Sequence, residues 1–83
     1  MATDETVKVK VVFRKWANGD VIALFPDEEA CAGYCQSYES LGQHAPAQFQ
    51  GVIDATTEAS VEEYTRLKRE LERIGYEVEV AGA

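Results

Sequence analysis

Eighty-three residues leave room for one hydrophobic core, because a second would fall below the roughly 40 residues at which chains fold without disulfides, metals or partners. Hydrophobic residues at 46% and charged residues at 28% are ordinary globular usage, which excludes a disordered tail, and no apolar run approaches the roughly 18 residues of a membrane helix. Fifteen acidic against eight basic side chains, a formal charge of -7, argue against direct nucleic-acid binding, where clustered Lys and Arg grip the phosphates.

The charge is unevenly spread. Residues 1–15 set Lys8, Lys10, Arg14 and Lys15 against Asp4 and Glu5, and the last eighteen residues balance four charges of each sign. Between them, residues 16–65 hold no Lys or Arg, yet carry the nine carboxylates Asp20, Asp27, Glu28, Glu29, Glu39, Asp54, Glu58, Glu62 and Glu63. The start, Met1 to Glu5, is acidic where a signal peptide is basic and then apolar, so a cytoplasmic location is expected. Without repeats or a linker, residues 1–83 read as a single domain with frayed ends at 1–5 and 81–83.

Val7, Val9, Val11 and Phe13 alternate with Lys8, Lys10, Val12 and Arg14, the period of a strand with one buried face. Asn18-Gly19 suits the positive φ of a tight hairpin turn, and residues 20–25 return antiparallel, apolar on both faces until Pro26, which is expected to end the strand. Residues 27–56 are ambiguous. Ala30, Cys31, Tyr34, Cys35, Tyr38 and Leu41 fall at helical spacing, but Gly33 interrupts them, which favours a loop and then a third strand over about 34–40. Residues 42–46 read as a turn, followed by an irregular segment pinned to the core by Phe49, Val52 and Ile53. Ser60-Val61-Glu62-Glu63 is a capping box that opens a helix with the apolar stripe Val61, Tyr64, Leu67, Leu71 and Ile74, stopped by Gly75. Tyr76, Val78 and Val80 then alternate with Glu77 and Glu79 in a last strand. The sum is α+β: a mostly antiparallel sheet of three to four strands with one main helix packed on one face, in the order β-β-β-α-β.

The hairpin string from Phe13 to Pro26, the segment Cys35-Gln36-Ser37-Tyr38 running into Gly42-Gln43-His44, and the helix end Ile74-Gly75-Tyr76 resemble a group of small uncharacterised bacterial and mobile-element proteins. The resemblance spans most of the chain and implies one compact domain; it attaches no activity, but it singles out Cys35, Tyr38, Gln43 and His44.

Cys31, Cys35 and His44 are zinc-ligand types, with Asp27 or Glu28 available as a fourth, and they define the alternative of a small thiol- or zinc-dependent protein. Against it, the cysteines lie three residues apart, not two, no second pair exists, and free Cys is commonly buried, so no metal or cofactor is expected. A Cys35/His44 nucleophile and base, oriented by Gln43 or Asn18, is the one enzymatic arrangement that can be assembled, and the reading is non-catalytic. Trp16 at a hairpin tip and Tyr38 are candidate interface anchors, which together with Asp27, Glu28, Glu29 and Glu39 give the expected partner-binding set. The cation-free middle segment points to a basic protein surface as partner, such as that of a nucleic-acid-binding protein, in the manner of a phage or mobile-element inhibitor, with no direct nucleic acid and no membrane. Pairing of an edge strand into a homodimer is a further alternative, and a plain solubility role for the acidic face is the bland one.

Overall fold

Strand β1 (Val7–Lys15) forms over the alternating segment, but it buries residues on both faces where one buried face was expected. The computed structural model describes residues 7–39 and 43–81. Val9, Val11 and Phe13 are buried on one face of β1 and Val12 on the other. β2 (Val21–Cys31) returns antiparallel, pairing Lys15 with Val21 and Val12 with Leu24. The turn between them places Gly19 at φ 96° and is locked by Asn18, whose Oδ1 accepts from the Asp20 N–H at 3.0 Å.

β3 (Tyr34–Glu39) and β4 (Gln43–Ala47) continue the antiparallel meander, then come helix α1 (Phe49–Ala55), the two-residue β5 (Thr57–Glu58), helix α2 (Val61–Ile74) and β6 (Tyr76–Val80). β5 and β6 share the outer edge of β1: β6 runs parallel to Val7–Val11, and β5 antiparallel to Arg14 and Lys15. Among the described residues the sheet therefore has six strands, mostly antiparallel, and the class is α+β with α2 as the main helix on one face.

Two segments differ from the sequence expectation. Residues 43–47 form an edge strand where a turn was expected; β4 tolerates Pro46 because the missing N–H matters least at an edge, and Ser37 Oγ donates to the Ala45 carbonyl at 2.8 Å. Phe49, Val52 and Ile53 do pin their segment to the core, but as a helix, packed against Val12, Ile22, Leu24 and Cys35 on the face opposite α2. At Ala81 the N–H donates to the Val11 carbonyl at 2.8 Å; residues 1–5, Gly42 and residues 82–83 lie outside the described residues.

Helix α2 begins at the expected capping box. Ser60 Oγ accepts from the Glu63 N–H at 3.3 Å, and Glu63 Oε1 accepts from the Ser60 N–H at 2.8 Å. Leu67 and Leu71 carry the buried stripe, and Tyr64 stacks on Phe13 with ring centroids 4.5 Å apart. The stripe's ends, Val61 and Ile74, are exposed instead. Gly75 at φ 130° stops α2 and turns the chain directly into β6.

Two polar anchors hold the layers. Helix α1 has no side-chain N-cap, and its sequence, with a glycine and two β-branched residues in seven, is a weak helix former. Arg14 braces its other end: the guanidinium donates to the carbonyls of Ile53 (3.1 Å), which also takes the Thr56 N–H at 3.5 Å, and Thr56 (2.8 Å) and to Thr56 Oγ1 (3.0 Å), at the negative end of the helix. On the other face Tyr38, expected as an interface anchor, is 4% exposed, and its hydroxyl donates to Glu70 Oε2 on α2 at 2.7 Å. That carboxylate, and then burial, push the Tyr38 hydroxyl above its ordinary pKa.

Arg14→Ala is expected to lower stability by about 2 kcal/mol, read as a melting temperature lower by on the order of 10 °C. Arg14→Lys should recover only part of the loss, because one ammonium cannot span the three acceptors. The Glu63 carboxyl is held below its ordinary value of 4.5 first by the Lys15 ammonium and then by the Ser60 N–H. A depressed carboxylate stabilises the fold fully above the unfolded value and ceases to do so as pH falls through the lower folded value. Thermal melts of Glu63→Gln, which keeps the capping reach but not the charge, should thus lie below the parent at pH 7 and converge with it as pH falls below 4.5.

Candidate partner-binding surface

β2 does not end at Pro26. The register with β3 shifts between Phe25 and Glu29, so the proline sits in an irregularity of the ladder, where its missing N–H costs little, and pairing resumes at Glu29 opposite Cys35 and Cys31 opposite Tyr34. Gly33 at φ 81° closes this second hairpin. Burial changes abruptly along it: Phe25 is 1% exposed, whereas Asp27, Glu28, Glu29, Cys31, Ala32, Gly33 and Tyr34 are all exposed. The distal half of β2 and the turn into Tyr34 are therefore an arm extending beyond the packed core.

The arm carries three consecutive carboxylates, of which Asp27 meets Lys10 at 3.7 Å in an exposed pair of small energetic weight. Tyr34 is 45% exposed, large for an aromatic ring. Along the base of the arm runs a shallow groove of ≈ 260 Å³ lined by Pro26, Asp27, Glu29, Gly33, Tyr34, Cys35 and Phe49. Its apolar floor, flanking ring and two carboxylates suit the aliphatic stem and cationic head of a Lys or Arg side chain.

The rest of the expected set lies elsewhere. Trp16 is half-buried against the α1-side cluster, and its Nε1–H donates to Glu39 Oε2 at 3.2 Å. Tyr38 belongs to the α2-side cluster, so the two rings stand on opposite faces of the sheet and form no joint hot spot. Glu39 pairs with Ile22, whereas Glu29 lies opposite Cys35, four residues along β3 from Glu39, about 13 Å along the strand at 3.3 Å per residue. The nine carboxylates accordingly do not make one continuous patch. Asp27, Glu28 and Glu29 occupy the arm, while Asp20, Glu39, Glu58 and Glu63 cluster where β1 ends, Glu58 opposite Arg14 and Glu63 against Lys15.

The thiols are divided in the same way. Cys31 is exposed on the arm and Cys35 buried under α1, where desolvation pushes its thiol above the ordinary value, the opposite of an activated nucleophile. His44 is placed by its backbone opposite Tyr38, three residues along β3 from Cys35. Among the described residues no group of three His, Cys, Asp or Glu side chains is arranged to hold a metal, and no helix is long and apolar enough to cross a membrane.

Tyr34 is one of the large rings, with Trp16, Tyr38, Phe49 and Tyr64, that the sequence offers as interface anchors, and it is the exposed one that the choice of Trp16 and Tyr38 passed over. The signal was Gly33 inside Cys31-Ala32-Gly33-Tyr34, a glycine flanked by strand-compatible residues, which marks a two-residue turn as readily as a broken helix. Comparison with protein-family models, with curated proteins and with solved structures returns no match, so the surface is argued from its own chemistry.

A thiol-specific reagent added to the folded protein should react at once with Cys31 and with Cys35 only on unfolding. Cys31→Ser should leave no fast-reacting thiol, and equal rates for both cysteines would contradict the placement of Cys35.

Proposed function

We propose that the protein is a non-catalytic interaction module whose acidic arm engages a basic protein surface. The observation that carries the reading is the groove at the arm's base, where Tyr34 flanks Asp27 and Glu29. An exposed ring beside carboxylates recognises Lys and Arg through both charge and the π face, and it needs no deep cleft. Glu28 and the clustered carboxylates at the other end of the molecule add long-range attraction that steers a cationic partner.

The partner proposed is a nucleic-acid-binding protein, whose phosphate-binding surface the arm would occupy in place of the nucleic acid. Resemblance to small mobile-element proteins supports an inhibitory role of this kind, directed at a host defence or DNA-binding protein inside the cell. The buried, protonated Cys35 weighs against the thiol-dependent alternative.

Tagged protein used as bait in nuclease-treated host lysate, at low and raised salt, tests the reading. A basic nucleic-acid-binding protein should be held at low salt and released at raised salt. The triple variant Asp27→Lys, Glu28→Lys, Glu29→Lys and the single variant Tyr34→Ala should each weaken its capture at least tenfold while melting like the parent. Capture indifferent to salt and to all four substitutions would refute it.

A further inference from the structure

The opposite margin of the sheet is built differently from the arm. β4, one edge, carries Pro46, a common device against further strand addition. β6, beyond β1, has no proline, glycine or bulge, and among the described residues no strand lies outside it. The Ala81 N–H donates to the Val11 carbonyl at 2.8 Å, so Glu77, Glu79 and Ala81 direct their backbone groups to β1, and alternation sends those of Val78 and Val80 outward.

The side chains on this strip are also available. Glu77 and Glu79 are exposed and form no ion pair among the described residues; Lys10, the nearest candidate for Glu79 by register, turns to Asp27. On the α2 side, Val80 is 41% and Val61 64% exposed, and a groove of ≈ 390 Å³ at the strand's end is lined by both with Tyr64, Ala81 and the junction of residues 58–60. Apolar residues thus face one side of the outer edge and carboxylates the other.

The inner edge of β6 already shows which chemistry this alternation accepts. There β1 places Lys8 beside Glu77, Val9 beside Val78, Lys10 beside Glu79 and Val11 beside Val80. A second copy of β6 fits poorly, because antiparallel self-pairing centred on Val78 sets Glu77 against the other copy's Glu79, and like charges directly opposite destabilise a sheet. We propose that the outer edge of β6 is a docking strip for an extended partner segment in which Lys or Arg alternates with β-branched residues, added to the sheet as a further strand alongside α2. Recognition divides in two: the outward backbone groups of Val78 and Val80 supply hydrogen bonds, while Glu77 and Glu79 select the basic alternation. The strip lies across the sheet from the β4 edge and does not rest on the arm's role.

The test uses the full chain and two fluorescein-labelled heptapeptides of one composition, alternating Val-Lys-Val-Lys-Val-Lys-Val and block-ordered Val-Val-Lys-Lys-Lys-Val-Val. Fluorescence anisotropy should show the alternating peptide binding at least tenfold more tightly. Val80→Pro removes an outward N–H and leaves the bonds to β1 in place; it should cost at least tenfold in affinity. On the unmodified protein, the alternating peptide should slow hydrogen exchange at the Val78 and Val80 amides at least tenfold, a readout that stands even where the proline variant does not fold. Equal affinity for the two peptides, or no added protection at those amides, overturns the proposal. So does self-association of the free protein by light scattering with the same two amides protected, since a second copy would then occupy the strip.

Discussion

Everything in this molecule is built on β1 being sandwiched. Val9, Val11 and Phe13 face α2, Val12 faces α1, β2 closes one edge, and β5 and β6 share the other. A strand buried on both faces must shed its charges or place them where they are answered, and β1 does both. Lys8 and Lys10 stand on the part of the α1-side face that α1 leaves open, while Arg14 and Lys15 sit at the end where polar partners wait.

Those partners turn a hydrophobic sandwich into a specified one. Helix α1 is short, uncapped at its start and poor in helix formers, so burial of Phe49, Val52 and Ile53 alone would leave its C-terminal carbonyls with only the Thr56 hydroxyl and N–H as partners. The Arg14 fork closes that account from the adjacent strand. Tyr38 and Glu70 do the equivalent on the other face, linking β3 to α2. Lys15 and Glu63 tie the start of α2 to the end of β1, so both helices are positioned by side chains from neighbouring residues of one strand.

The parts legible in the amino-acid sequence are those governed by local rules. The period of Val7 to Phe13, the Asn18-Gly19 turn, the Ser60/Glu63 box and the Gly75 stop each act within a few residues, and each appears as expected. The parts misread depend on what lies far away. Pro26 ends a strand only where the ladder is regular, and here a register shift absorbs it. Residues 49–55 are helical because Arg14 and the sheet make them so, which no reading of that segment could reveal. Tyr38 lies within β3 and Trp16 just past the end of β1, and only the side of the sheet on which each ring falls decides that one is core and the other is held by Glu39 on the opposite face. Tyr34 could not be told from the other candidate rings because exposure on an arm is a property of where the core ends.

The split edge of β1 also dictates an order of assembly. The four antiparallel strands from β1 to β4 are hairpin neighbours that can zip with short loops, whereas the Val9 to Val78 pairing joins residues nearly the whole chain apart. Closing so long a loop is entropically dear and slow, so the outer flank of β1, with the buried surface of α2 that depends on it, is the last to form. Until β6 arrives, the apolar row of β1 has an unsatisfied margin. During synthesis that margin is the molecule's most vulnerable feature, and it is shielded only once residues through Val80 have emerged.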